Sequence, residues 1–302
     1  MSNVLIVGGT GLVGGMTARL LARSGHHVRC MVRNGTDDSS LRRDGLETVR
    51  GDITRRETLP PALDGMHAVI TTAYGYARRR KGDTLGSVDD VGNRQLIDAA
   101  NAAQIRRFIF TSILTADQAI SVPHFHQKAL TERYLEASGM PFVSLRPGGF
   151  LDALLNMSLN DLNRGRFRAM ADVDAPASTI LSEDVARALA LAVDTPGIDG
   201  LRIDLGMSQP VTLRLIVEEL STLVGREISL SEVPRPMRSF MFRIMGLFKP
   251  FLRDVGASMD YVSSGRYIAD TSLQARFFGP LPSLRESLGR WASSAGLLTE
   301  SM

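Results

Sequence analysis

Short apolar runs alternate with amphipathic stretches through the first half of the chain. Residues 4–7 are apolar and mostly β-branched, which predicts a buried strand, and the following stretch through Leu21 is typical of a helix. The alternation continues, with further strands predicted at 27–33, 46–53, 67–73, 108–112 and 142–145, helices at 55–63, 88–103 and 123–138, and a surface loop at 74–87. Short joins between such elements favour right-handed crossovers. The pattern therefore predicts an α/β fold with a doubly wound parallel sheet.

The pattern becomes less regular after residue 150. A helix beginning at Ser182, a strand at 200–206, a helix at 211–224 and a strand at 227–230 are predicted. The segment 240–248 is apolar on almost every side, which predicts a core helix or a wall or lid of an apolar substrate pocket. A membrane-surface helix is disfavoured, because the basic residues form no continuous face. We predict a first domain at 1–150, with return segments near 178–206, and a smaller α+β domain at 151–302.

Composition narrows the set of partners and compartments. The net charge is +3 with scattered basic residues, which argues against a nucleic-acid partner. No apolar run approaches the roughly 18 residues of a membrane span, and no leader precedes the first strand, so we expect no membrane partner and a cytoplasmic location. The single cysteine, Cys30, excludes an internal disulfide and fits a reducing compartment.

A glycine cluster separates the first predicted strand from the first predicted helix. Its glycines allow a tight turn, close approach of the backbone to a pyrophosphate, and close packing of helix on strand, while the helix N-terminus attracts phosphate charge. A simple chain-reversing turn is the alternative, but the preceding strand and following helix are the context that dinucleotide binding requires. The candidate cofactor-binding residues are Gly8, Thr10, Gly11, Leu12, Val13 and Gly14.

Residues at the ends of the next strands predict which dinucleotide is bound. The second strand ends in Arg33, and an arginine there can hold the 2′-phosphate of NADP, whereas a carboxylate would select NAD. An exposed charge is the alternative for Arg33. Asp52 lies at the end of the third strand and either accepts from the adenine amine or forms a turn. Thr71, Thr72 and Ala73 are small enough for a cofactor to lie beside them. The sequence predicts NADP(H) rather than NAD(H).

These motifs, with those at 110–112, 128–132, 138–141 and 145–148, resemble the atypical short-chain dehydrogenase/reductases and especially the NmrA-like NAD(P)-binding branch. The resemblance implies a Rossmann-type NADP-binding domain and a small substrate-binding domain. It also implies Gly8, Gly11 and Gly14 at the pyrophosphate, Arg33 at the 2′-phosphate, Asp52 and Ile53 at the adenine, Lys128 at the nicotinamide ribose, and Pro147 and Gly148 near the nicotinamide. Residues 231–302 carry no recognised motif.

The resemblance has one departure, at the catalytic tyrosine. Classical members carry Tyr-x-x-x-Lys, in which the lysine lowers the pKa of the tyrosine that protonates a carbonyl oxygen. Here His124 stands four residues before Lys128, on the same helix face, and can titrate near neutrality. Ser112 keeps the usual serine position, with a strand-end hydroxyl as the alternative. Lys128, His124 and Ser112 are the catalytic candidates, and no metal is predicted because His124 and His126 lack a third ligand.

Two functions fit these residues. The first is an NADPH-dependent reductase of a hydrophobic carbonyl, quinone or conjugated polycyclic aromatic substrate, since a quinone or other conjugated acceptor delocalises charge and needs little acid catalysis. The second is a non-catalytic NADP(H)-binding redox sensor of the NmrA type. A sugar-nucleotide epimerase is disfavoured, because its chemistry depends on the tyrosine. We expect a hydrophobic, aromatic small molecule as partner and a monomer or homodimer.

Overall fold

The structure, a computed structural model, describes residues 1–75 and 80–298. Part of the predicted loop at 74–87 therefore lies outside the described residues. The chain divides into two compact units, Met1–Arg146 with Glu183–Ile203 and Pro147–Ser182 with Asp204–Met302. The functions predicted for two domains stay predictions.

A seven-stranded parallel sheet organises the first unit. Its order is β10-β6-β5-β4-β1-β2-β3, which confirms the predicted doubly wound arrangement. The strands of the chain are β1 (Asn3–Val7), β2 (His27–Val32), β3 (Glu47–Arg50), β4 (Ala68–Thr71), β5 (Arg107–Thr111), β6 (Phe142–Pro147), β7 (Gly149–Phe150), β8 (Arg166–Ala169), β9 (Thr179–Ile180), β10 (Arg202–Leu205) and β11 (Ser229–Glu232). Residues 4–7 of the central strand β1 are buried on both faces of the sheet, which is why this part of the strand is apolar.

Helices cover the sheet and build most of the second unit. They are α1 (Leu12–Arg23), α2 (Ser39–Arg43), α3 (Leu59–Leu63), α4 (Asn93–Ala102), α5 (Pro123–Ser138), α6 (Leu151–Met157), α7 (Leu159–Asn163), α8 (Ser182–Leu191), α9 (Leu213–Val224), α10 (Arg235–Phe248), α11 (Pro250–Val262), α12 (Ser272–Phe278) and α13 (Leu284–Ser294). The helix predicted at 88–103 instead starts as a π-helix at Leu85–Gly92, because Thr84 and Ser87 form a capping box ahead of it. The helix predicted at 55–63 is a short 3₁₀ turn, Arg56–Thr58, followed by α3.

The second unit has its own core. Two small parallel pairs, β8 with β11 and β7 with β9, pack with helices around a cluster that includes Leu151, Phe167 and Trp291. The Trp291 indole donates to Asn156 Oδ1 at 2.9 Å. A smaller α+β unit is therefore present, as the fold prediction expected.

Helix α10 corrects one expectation. The segment 240–248 is not a core helix, since Phe240, Leu247 and Phe248 are 66, 74 and 82% exposed, and only Arg238 and Gly246 of α10 are buried. The segment does form a helix, as its apolar pattern predicts. The side of α10 that is buried, however, is the one that carries Gly246. None of the helices in the described part of the chain has the length and apolarity that crossing a bilayer requires.

Candidate functional site

The turn between β1 and α1 needs glycine at two positions. Gly8 has a φ of +99°, and a Cβ there would lie 2.4 Å from Thr72 Oγ1. A Cβ on Gly14 would lie 2.3 Å from the Gly8 carbonyl oxygen. The Gly11 N–H donates to the same oxygen at 2.8 Å and closes the turn. Because Gly8 and Gly14 have no Cβ, the backbone of this turn forms an open cradle. A pyrophosphate requires this kind of close approach to the backbone.

The N-terminus of α1 is left open to an anion. Gly11 is its N-cap and supplies no capping side chain, and the first turn holds no acidic residue. The first N–H groups of a helix need partners, and the helix dipole favours negative charge there. Thr10 and Leu12 are exposed beside this end, and Val13 is half-buried.

The end of β2 is a cluster of arginines around one loop. Arg33 donates from Nη1 to both carboxylate oxygens of Asp83, at 2.9 and 2.8 Å. Arg50 donates to the carbonyl oxygens of Arg33 and Thr36, and Arg80 hydrogen-bonds to the Thr36 hydroxyl. Arg33 is therefore not a simple exposed charge; its guanidinium already holds an anion, in the form of a carboxylate.

Asp52 forms a turn and keeps one oxygen for another partner. Its Oδ1 accepts from the backbone N–H and the hydroxyl of Thr54, at 2.9 and 2.8 Å. Within the described part of the chain, Oδ2 makes no hydrogen bond, so the two alternatives for this residue do not exclude each other. Ile53 is buried against Gly92, where a Cβ would come within 2.8 Å of it. At the end of β4, Thr71 is buried while Thr72 and Ala73 are partly exposed.

Lys128 on α5 is held by two groups. Its Nζ lies 3.5 Å from Asp89 Oδ1 and 4.8 Å from the centroid of the Phe110 ring, and its side chain is 12% exposed. Asp89 is buried on the π-helix, and its other oxygen accepts from the Gly75 N–H at 2.6 Å. Such helical bulges occur frequently at functional sites. The ammonium is thereby fixed near the end of β5.

Buried hydroxyls follow at the end of β5. Thr111 Oγ1 and Ser112 Oγ are buried, and neither has a hydrogen-bond partner among the described residues. Unpartnered buried polar atoms are uncommon, and a bound molecule is one way to satisfy them. The His124 ring packs edge-on against Phe125, with centroids 4.6 Å apart. No group of three metal-ligating side chains occurs in residues 1–75 and 80–298.

Pro147 and Gly148 lie in the second unit, just after its boundary. The Gly148 N–H donates to the Leu205 carbonyl at 2.8 Å, and a Cβ on Gly148 would lie 2.4 Å from the Ser178 carbonyl oxygen. The Tyr267 hydroxyl lies 3.5 Å from the Pro147 carbonyl oxygen. Burial raises the pKa of Tyr267, so this phenol stays protonated. The predicted position of Pro147 and Gly148 near a nicotinamide stays a prediction.

The motifs and the sheet together match one protein family. The model of the NmrA-like family matches residues 1–244. The chain belongs to the NmrA-like family. This confirms the predicted resemblance to the NmrA-like branch.

Curated relatives of this NmrA-like protein include an assembly factor and a reductase. It is 28% identical over 247 residues to the photosystem II assembly factor Ycf39 of Trieres chinensis, which covers 82% of this chain and 77% of that protein. It is 26% identical over 226 residues to an NAD(P)H azoreductase of Xenophilus azovorans, which covers 74% of this chain and 75% of that protein.

Solved structures share the fold over nearly the whole chain. The NADPH-dependent quinone oxidoreductase QOR2 of Escherichia coli, complexed with NADPH, superposes with a TM-score of 0.80 at 22% identity and covers 95% of this chain and 99% of its own. The triphenylmethane reductase of a Citrobacter species gives 0.81 at 20% identity, with 96% and 99% covered.

Three residues of this NmrA-like protein were missed from the sequence: Asp83, Asp89 and Arg50. Asp89 carried a signal, since it is an acid on the inward side of a predicted helix, next to Val88. Asp83 and Arg50 carried none, because their partner Arg33 is distant in the sequence.

Proposed function

We propose that this protein is an NADPH-dependent oxidoreductase that reduces a hydrophobic quinone, carbonyl or conjugated aromatic acceptor by hydride transfer. The observation that carries the proposal is the ammonium of Lys128, held between a buried carboxylate and an aromatic ring at the end of β5. The glycine cradle and the arginine cluster lie at the same carboxyl edge of the parallel sheet, where ligands of such sheets bind.

The described residues fit a dinucleotide. The cradle at Gly8 and Gly14, which a Cβ would fill, leaves room for a pyrophosphate beside the N-terminus of α1. Arg33 would hold the 2′-phosphate, and Asp52 Oδ2 would accept from the adenine amine. Lys128 would donate to the nicotinamide ribose, and the unpartnered hydroxyls of the β5 end would serve the ligand. When bound, NADPH supplies the hydride.

The choice of acceptor follows from the missing tyrosine. With histidine at position 124, the chain lacks the lysine-activated tyrosine that donates the proton in the classical ketone reductions. A quinone or a conjugated dye spreads the incoming charge over its ring system, so orientation and exclusion of water contribute most of the rate. The names of similar proteins, a quinone oxidoreductase, an azoreductase and a triphenylmethane reductase, support this class. A cytoplasmic location and a monomeric or dimeric state stay sequence-based predictions.

A second candidate function is a non-catalytic NADP(H)-dependent regulator. It is favoured by the absent tyrosine and by relatives named as assembly factors. The pairing of Lys128 with Asp89 favours the enzyme. A sensor has to bind the cofactor, but it does not need an amine held in place beside the nicotinamide end of the cofactor.

The direct test is turnover. Purified protein is expected to oxidise NADPH when a quinone is added, and Lys128→Met is expected to lower kcat about 100-fold with NADPH affinity changed far less, because the amine orients the reacting end. Asp89→Asn is expected to give an intermediate loss. Arg166→Met, which removes an exposed cation on β8, is the control. Absence of turnover across quinones and dyes, with NADPH binding intact, would favour the regulator.

Cofactor selection gives a separate prediction. A 2′-phosphate and the Asp83 carboxylate compete for Arg33, so Asp83→Asn is expected to tighten NADPH binding roughly tenfold, whereas Arg33→Ala weakens it roughly tenfold or more, with NADH affinity nearly unchanged. Calorimetric titration with both cofactors measures this. Arg214→Ala is the matched control, because Arg214 makes an equally short two-bond pair with Asp174 in the second unit. Equal changes for NADPH and NADH would contradict the assignment of Arg33.

A further inference from the structure

The outer side of α10 is an apolar surface. Its exposed members, which we call the α10 patch, are Met237, Phe240, Ile244, Met245, Leu247 and Phe248. Most of them recur at the three- and four-residue spacing of a single helical stripe. Single exposed apolar side chains are ordinary, but a contiguous patch of this size on one helix marks an interaction surface.

The outward direction of the patch is built into the packing of α10 on α11. Gly246 faces α11, where its added Cβ would lie 3.0 Å from Arg253 Cβ, and a Cβ on Gly256 would lie 2.8 Å from Phe242 Cβ. Arg238 is buried on this inner side, with Nη2 3.5 Å from Asp260 Oδ1. The inner side is therefore closed by glycine contacts and an ion pair, and the side chains of the α10 patch are left outside.

The charges around the corner between the two helices are positive. Arg243, Lys249 and Arg253 are exposed and lie within about two turns of the Phe248–Pro250 corner. Of the two carboxylates of α11, Asp254 is buried, and the partly exposed Asp260 lies beside Arg238 and Arg235 instead of at this corner. The α10 patch therefore ends beside three exposed basic side chains.

We propose that the α10 patch docks on an anionic lipid bilayer, with Leu247 and Phe248 entering the boundary between headgroups and acyl chains. Helices that bind a membrane surface combine an apolar face of Phe and Leu with flanking Lys and Arg. Each basic side chain near an anionic bilayer adds electrostatic attraction to the lipid. A second copy of the chain fits less well, because a symmetric contact would bring two basic corners together.

The proposal revises the expectation of no membrane partner. That expectation rested on the lack of a long apolar run or leader, and a membrane-surface helix was disfavoured because the basic residues of the α10 segment form no continuous face. The hairpin adds Arg253 from α11 next to Gly246, so the basic corner is assembled by two helices and is not visible along either one. Attachment of this kind needs no membrane-spanning helix.

The test uses the full chain and flotation with lipid vesicles. Wild-type protein is expected to bind vesicles of phosphatidylcholine with phosphatidylglycerol at least tenfold more strongly than pure phosphatidylcholine, and to lose binding as salt is raised. Leu247→Ser with Phe248→Ser is expected to abolish flotation. Arg243→Glu with Lys249→Glu is expected to reduce it at least tenfold on anionic vesicles.

Met157→Ser is the matched control, because Met157 is 88% exposed on α6, outside the patch, and its replacement is expected to leave flotation unchanged. Circular dichroism and thermal unfolding check that every variant folds. Equal binding to both vesicle types, no binding to either, or a dimer that the serine variants dissociate without any vesicle binding would overturn the proposal. NADPH binding is measured in parallel and does not depend on this result.

Discussion

Gly14→Ala is expected to abolish dinucleotide binding, with Kd for NADPH raised about 100-fold or more, a loss of roughly 2.7 kcal/mol. The added Cβ would lie 2.3 Å from the Gly8 carbonyl oxygen and 2.9 Å from Thr72 Oγ1. Both distances are far below a normal contact, so α1 must move away from the turn and carry its first N–H groups with it. Calorimetric titration measures the loss.

Gly289→Ala is the matched control for this substitution. Gly289 is also helical, in α13, and no atom lies within 4 Å of its added Cβ. The variant is expected to bind NADPH normally and to be slightly more stable, since alanine favours helix. Near-normal NADPH affinity in a folded Gly14→Ala protein would contradict the placement of the pyrophosphate at this turn.

Glu132→Ala is expected to give the largest loss of folding stability, about 3–5 kcal/mol, because it removes the buried carboxylate that pairs with the buried guanidinium of Arg146 and leaves the half-exposed Asp117 beside it. Glu132 is 1% exposed, and its two carboxylate oxygens accept from Arg146 Nε at 2.9 Å and Nη2 at 2.5 Å. Arg202 Nε also lies 3.3 Å from it. Urea unfolding followed by circular dichroism measures the free energy of unfolding.

Asp174→Ala provides the comparison for the buried pair. Asp174 binds Arg214 through two hydrogen bonds of 2.7 and 2.9 Å, but both side chains are about half exposed or more. Surface pairs contribute about 0–1 kcal/mol, so this variant is expected to unfold almost as the wild type does. If Glu132→Ala and Asp174→Ala lowered the free energy of unfolding by similar amounts, burial would not be the reason that the Glu132–Arg146 pair stabilises the fold.

The elements that could be predicted are those whose ends are encoded locally. Helix α5 was predicted with both ends correct, because Pro123 fits the first helical position and Gly139, with a φ of +71°, ends the helix. The glycine turn could also be recognised, because its spacing, preceding strand and following helix are all local. The sheet followed from the alternation of strands and helices.

Contacts between distant residues could not be predicted. Arg33 and Asp83 are 50 residues apart, and no local pattern indicates that a carboxylate would meet the predicted phosphate ligand. The side of α10 that faces solvent could not be predicted from the sequence either. Its apolar residues indicate a stripe along the helix but not whether another element covers that stripe. Gly246 and Gly256 decided the outcome, since they let the two helices approach on the opposite side.

The position of β10 has a consequence for synthesis on the ribosome. Strand β6 pairs with β10 through bonds such as Ser144 N–H to the Leu201 carbonyl, yet the Pro147–Ser182 segment of the second unit is made between them. Until β10 leaves the exit tunnel, the nascent sheet ends in an unprotected β6 edge, which is a template for wrong pairing with another chain. The first unit thus completes its folding only after the start of the second has been translated.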